Sequence, residues 1–144
     1  MIVVADTSGL IAALDDTHPD QAGANAALML AGLLVISPLL LAELDHVATR
    51  ELGREAATSA VDEIIGWVRR GRVTVPEVTG EHLATAQSVR AGYRSLDLDL
   101  TDAVHVALAA EYQTNEILTL DRRDFRSIRP LTAHDHFRVL PDDL

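Results

Sequence analysis

The sequence predicts an α/β domain in which a central, mainly parallel sheet is flanked by helices. Three observations predict it. Short, apolar, β-branched runs recur at Ile2 to Ala5, Leu33 to Ile36, Val73 to Val75 and Ile117 to Leu120. Longer segments with helical apolar spacing separate them, and strands alternating with helices build parallel sheets. The 144 residues are 48% hydrophobic but only 3% aromatic, so one domain over 1–144 can bury a core made from Ala, Leu, Val and Ile. No repeat, low-complexity tract or linker interrupts it.

The first run reads as a buried strand ending at Asp6, after which Thr7-Ser8-Gly9 turns the chain into a short helix, Leu10 to Leu14. Asp15 to Pro19 reads as a loop. Asp20 is a candidate N-cap for a helix reaching Ala31, stopped by Gly32. Leu33 to Ile36 is the second strand. Ser37 then caps a helix with Pro38 at its first position, where a missing N–H costs nothing, and Gly53 ends it. A helix over Glu55 to Arg70 follows, closed by Gly71, and then the strand Val73 to Val75. Glu81 to Tyr93 and Leu100 to Tyr112 read as helices around an aspartate-rich loop, Ser95 to Asp99. The strand Ile117 to Leu120 ends at Asp121, a helical turn covers Asp124 to Ile128, and Phe137 to Leu140 is an edge strand before Pro141.

The apolar stretch Ala26 to Ala42 is shorter than the roughly 20 residues of a membrane-spanning helix and is broken by Gly32 and Ser37-Pro38. No basic, apolar leader opens the chain, so the expected location is cytoplasmic. There is no cysteine and no lysine, and all twelve basic residues are arginine. Disulfides, thiolate zinc sites, a cysteine nucleophile, a P-loop and a Schiff-base lysine are thereby excluded. The formal net charge of −10 argues, taken alone, against a nucleic-acid binder.

Ligands of parallel sheets bind beyond the carboxyl ends of the strands. Asp6 and Asp121 sit at two such ends, and each reads as a carboxylate aimed into one crevice. Glu43 lies on a helix among apolar residues, where a carboxylate is costly unless paired or metal-bound; a plain surface glutamate is the simpler reading of it. Asp102 falls in the first turn of a helix that Asp99 can cap, where the dipole alone would favour an acid. Asp124 is either a fifth acid or a cap. Converging carboxylates repel one another unless a cation neutralises them. Hard divalent ions such as Mg²⁺ and Mn²⁺ prefer such oxygen ligands and can drive phosphodiester hydrolysis without a covalent nucleophile.

Four blocks carry a family resemblance: Val3-Val4-Ala5-Asp6-Thr7-Ser8, Leu41-Ala42-Glu43-Leu44, Thr101-Asp102-Ala103, and Leu118-Thr119-Leu120-Asp121 running on to Asp124-Phe125. In order and spacing they resemble PIN-domain nucleases across almost the whole chain. Its size and ending are most similar to the VapC toxins of VapBC toxin–antitoxin pairs. The resemblance implies a PIN-like three-layer fold and a Mg²⁺- or Mn²⁺-dependent endoribonuclease. It implies that Asp6, Glu43, Asp102 and Asp121 form a metal-binding acidic quartet, with Thr7 and Thr119 orienting ligands. It also implies an RNA substrate, a homodimer and a VapB-type antitoxin.

The charge objection then has an answer. Part of the acidity belongs to the proposed site. Arg122, Arg123, Arg126 and Arg129 follow Asp121 within nine residues and read as a phosphate-tracking rim, arginine being suited to bidentate phosphate contact. His105 is expected to be structural or a peripheral RNA contact, His134 and His136 to be loop residues, and Trp67 a packing or dimer contact. A receiver-type signalling domain would also place acids at strand ends, but it needs a late lysine that this chain lacks. The intact quartet argues against a degenerate module that binds without cleaving. Ser8 argues against an aspartyl-phosphate enzyme acting on small phosphates, since it stands where the second acid of an Asp-x-Asp pair would fall.

Overall fold

Four of the five strands of the sheet divide their side chains between two cores. The computed structural model describes residues Met1–Leu144. Its strands are β1 (Ile2–Ala5), β2 (Leu33–Val35), β3 (Val73–Thr74), β4 (Glu116–Leu118) and β5 (Arg138–Leu140). Val3, Leu34, Leu118 and Leu140 pack into one core, and Val4, Val35, Ile117 and Val139 into the other. This is the period-two division of strands buried on both faces. Helices α1 (Thr7–Leu14), α2 (Gln21–Leu30), α3 (Pro38–Leu52) and α4 (Arg54–Arg69) cover the first face. Helices α5 (Gly80–Gly92), α6 (Leu100–Glu111) and α7 (Arg122–Ser127) cover the second. The three-layer expectation holds, and the sheet is parallel at every pairing.

The strand order is β3-β2-β1-β4-β5. From β1 the chain steps outward to β2 and β3, then returns across β1 to build β4 and β5 on its other side. Connections therefore leave in opposite directions at the β1–β4 junction. That reversal opens a crevice at the carboxyl ends of the two strands. The apolar stretch Ala26 to Ala42 is divided among α2, β2 and the start of α3. No helix is long and apolar enough to cross a membrane.

Several boundaries shift, each for a local reason. The helix expected from Leu10 begins at Thr7, because Asp6 is extended (φ −106°, ψ 159°) and its carbonyl accepts from Leu10 N at 3.1 Å. Gly9 allows this early start. A Cβ there would lie 2.5 Å from the Leu118 carbonyl oxygen, so only glycine lets α1 rest on β4. The strand expected to reach Leu120 stops at Leu118, because Leu120 N turns to Ser8 Oγ at 2.9 Å. Asp121, not Asp124, then caps the last helix, accepting from Asp124 N at 3.3 Å, so α7 starts at Arg122. Asp20 stands at the start of α2 without capping it through its side chain. Ser37 caps α3 as expected, accepting from Leu39 N at 3.1 Å.

Candidate active site

The β1–β4 reversal brings four distant acids to one crevice of about 420 Å³, lined among others by Asp6, Glu43, Asp102 and Asp121. Asp6 arrives from the end of β1, Glu43 from α3, Asp102 from the first turn of α6 and Asp121 from the cap of α7. Asp15, Glu51 and Asp99 also line it, and no arginine does.

Asp6 is 6% exposed. A charged group that deep needs partners, and hydroxyls supply them. Thr119 Oγ1 donates to Asp6 Oδ2 at 2.8 Å and accepts from Asp121 N at 2.9 Å, so one hydroxyl ties two of the acids together. Ser8 Oγ donates to the same Asp6 oxygen at 3.4 Å and accepts from Leu120 N. Thr7 Oγ1 donates to Glu43 Oε2 at 3.0 Å. The two threonines thus each donate to a carboxylate of the crevice. Ser8 does as much, although its sequence context shows only the turn into the first helix.

Asp99 caps α6, accepting from Asp102 N at 2.8 Å. Asp97, just before it, adopts the left-handed conformation (φ 52°) that aspartate tolerates and that turns the chain into the cap. The charge of this loop therefore has a structural origin.

The electrostatics are those of crowded anions. Burial, then repulsion from Asp6, Asp99, Asp121 and Glu43, pushes the Asp102 carboxyl up to about 8. Its place at the N-terminus of α6 favours the anion, and burial among carboxylates outweighs that. Burial raises Glu43 as well, against the Thr7 hydrogen bond, and burial with Asp121 nearby raises Asp124. Carboxylate oxygens of Asp102, Asp121 and Asp124 lie within 4.8 Å of one another. Both late acids therefore reach Asp102.

Of the two readings of His105, structural or a peripheral RNA contact, its burial excludes the second. It is fully buried, one turn beyond Asp102 on α6, with Nδ1 3.6 Å from Asp6 Oδ1. Neither ring nitrogen has a hydrogen-bond partner, and a buried polar atom left so costs about 1–3 kcal/mol. Burial depresses its basicity against the pull of Asp6 and Asp99. A set of hard carboxylate oxygens with no arginine among them, and an orphaned imidazole beside it, fits a divalent cation.

Three of the four arginines expected to form the rim face acids of this chain. Arg122 Nη2 donates to Asp142 Oδ1 at 3.0 Å, and Arg126 grips Asp143 with both terminal nitrogens at 2.9 and 3.1 Å. The C-terminal acids hold these two arginines. Arg129 lies 3.6 Å from exposed Asp135, and Arg123 is exposed with no ion pair. His134 and His136 are exposed loop residues, and Trp67 packs half-buried against the first core.

A family model for the PIN domain matches residues 3–130. The chain is 32% identical to Ribonuclease VapC26 of Mycobacterium tuberculosis over 140 residues, 96% of this chain and all of that one. Among solved structures it resembles M. tuberculosis VapC20, a sarcin–ricin-loop-cleaving toxin, at a TM-score of 0.72 and 19% identity over 84% of this chain and 91% of that one. It also resembles a chain of VapBC2 from Rickettsia felis, solved with promoter DNA, at a TM-score of 0.69 and 18% identity over 97% and 99%. A chain of a toxin–antitoxin complex from Klebsiella pneumoniae gives a TM-score of 0.62 and 16% identity over 94% and 99%. The order of strands, the acids at their ends and the extent of these matches lead to one conclusion: the chain belongs to the PIN-domain family, among the VapC ribonucleases.

Proposed function

We propose that this protein is a divalent-metal-dependent endoribonuclease acting as the toxin of a toxin–antitoxin pair, with Asp6, Glu43, Asp102 and Asp121 as its acidic centre and Asp124 as an auxiliary acid. The observation that carries the reading is the convergence of acids from four separate segments in a crevice that no arginine lines. Folding leaves these charges uncompensated, which is unfavourable for structure and useful for holding a cation. The relative at 32% identity is named a ribonuclease, and two structural neighbours were solved as toxin–antitoxin assemblies. An RNA substrate and a VapB-type antitoxin are the corresponding partners.

Asp6, Glu43, Asp102 and Asp121 would hold Mg²⁺ or Mn²⁺, which would supply Lewis acidity and charge neutralisation for phosphodiester hydrolysis. The chain's own residues do the rest. Thr119 and Ser8 fix Asp6 by its Oδ2, leaving Oδ1 to the crevice. Thr7 fixes Glu43 by donating to its Oε2. Of the four rim arginines, Arg123 is the better placed to meet phosphates, since Arg122 and Arg126 are engaged by the C-terminal acids and Arg129 pairs with Asp135.

Incubation with total RNA tests the proposal. Cleavage is expected with Mn²⁺ or Mg²⁺, is abolished by chelator, and falls on the order of a hundredfold or more in Asp6→Asn. Full activity in Asp6→Asn would overturn the assignment of the centre. Growth arrest on expression, relieved by a co-expressed antitoxin, tests the toxin role.

A further inference from the structure

We infer that His105 is a nitrogen ligand in the metal centre, forming with Asp6 and Asp102 a subsite that prefers a first-row transition ion to Mg²⁺. The inference rests on the metal-dependent reading above and adds to it a donor that is not a carboxylate.

The spacing supports a shared ion. At 3.6 Å, His105 Nδ1 and Asp6 Oδ1 are too far apart for a hydrogen bond. Two donors of one ion at about 2.1 Å stand roughly 3.0–3.5 Å apart in octahedral or tetrahedral geometry, close to that separation. Asp6 Oδ2 is already held by Thr119 and Ser8, so Oδ1 is the oxygen left to bind. Asp102 precedes His105 by three residues on α6, a spacing that puts both side chains on one helix face. One donor atom from each of Asp6, Asp102 and His105 falls within 4.8 Å of the others. The ring is fully buried and both its nitrogens lack partners. An ion at Nδ1 satisfies that nitrogen and leaves the ring proton on Nε2.

The donor set decides the ion. Mg²⁺ keeps to oxygen ligands and water, whereas imidazole suits transition ions. The preference for a softer ion is thus assigned to one side chain.

Mn²⁺ is the probe. Pulsed EPR of Mn²⁺ bound to the full-length, metal-stripped protein is expected to show nitrogen modulation from a directly ligated imidazole. The modulation should persist in His18→Asn, which alters the one histidine that lines the open crevice, and vanish in His105→Leu. By calorimetry, His105→Leu should weaken Mn²⁺ binding about tenfold or more and Mg²⁺ binding less than about threefold. His105→Gln replaces the leucine variant if that one does not fold. Bound Mn²⁺ without nitrogen modulation in wild type, or modulation that survives loss of His105, overturns the inference and leaves the carboxylate centre standing. Failure of the wild type to bind Mn²⁺, or unchanged binding in Asp6→Asn, overturns both.

Discussion

Two groups of carboxylates lie on either side of α7, and their proton affinities move in opposite directions. In the crevice, Asp102, Glu43 and Asp124 are raised by burial and by one another. At the C-terminus, Asp142 and Asp143 are lowered, chiefly by hydrogen bonds from Arg122 and Arg126. Arg138 completes the second group, joining Glu116 at 2.6 Å to the Asp143 carbonyl at 2.7 Å. Arg122 and Arg126 are therefore within a few residues of the site, yet they pair with the C-terminal acids instead. The contrast teaches that the crevice is kept anionic and the tail neutral, and that the two roles are divided along one short helix.

The largest expected effect tests the crowded side. Asp102 binds its proton more tightly in the folded state, at about 8 against 3.8. The metal-free protein therefore holds more protons folded than unfolded between those values, and its stability should fall as pH rises through that window. Asp102→Asn removes the penalty. At pH 8 the metal-free variant should melt roughly 5 °C or more above wild type, with a flatter dependence on pH. Coincident melting curves from pH 5 to 8 would show that the crowding carries no energetic weight.

The paired side should respond less. Asp143 has a depressed proton affinity, so its contribution is present above the unfolded value and is lost as pH falls through the folded one. The pair is solvent-exposed, and such pairs contribute about 0–1 kcal/mol. Asp143→Asn should lower the melting temperature at pH 7 by roughly 1–2 °C, and the difference should close in acid. A loss as large as the gain from Asp102→Asn would erase the distinction between the two groups.

The smallest effect concerns RNA. With Arg126 engaged and Arg123 free, Arg123→Ala should reduce the salt slope of RNA binding by about one phosphate contact. Arg126→Ala should change it less. Equal changes would mean that RNA displaces Asp143.

Much of the fold and site is legible in the sequence, and what is not has a common cause. Asp6 stands out because a carboxylate directly after an apolar strand has few structural uses, and Ser37-Pro38 and Asp99 announce their helices through capping chemistry. Local pattern carries that information. The features that escape it depend on partners remote in sequence. The end of β4 is set by Ser8, more than a hundred residues earlier. Arg122 and Arg126 look free in sequence because Asp142 and Asp143, which hold them, come from the far side of β5. His105 looks peripheral because one polar residue on an apolar helix face does not reveal what lies opposite. Glu43 and Asp102, each with a simple local explanation, acquire a shared meaning only once the sheet brings them together.

The stitch between Ser8 and Leu120, and between Asp6 and Thr119, joins positions 112 and 113 residues apart. The crevice therefore cannot exist on a growing chain until synthesis has passed Asp121 and that segment has left the ribosome. Every shorter nascent fragment lacks an edge of the site, and closing so distant a contact is a late event in folding. A nuclease built this way is inert throughout most of its own translation.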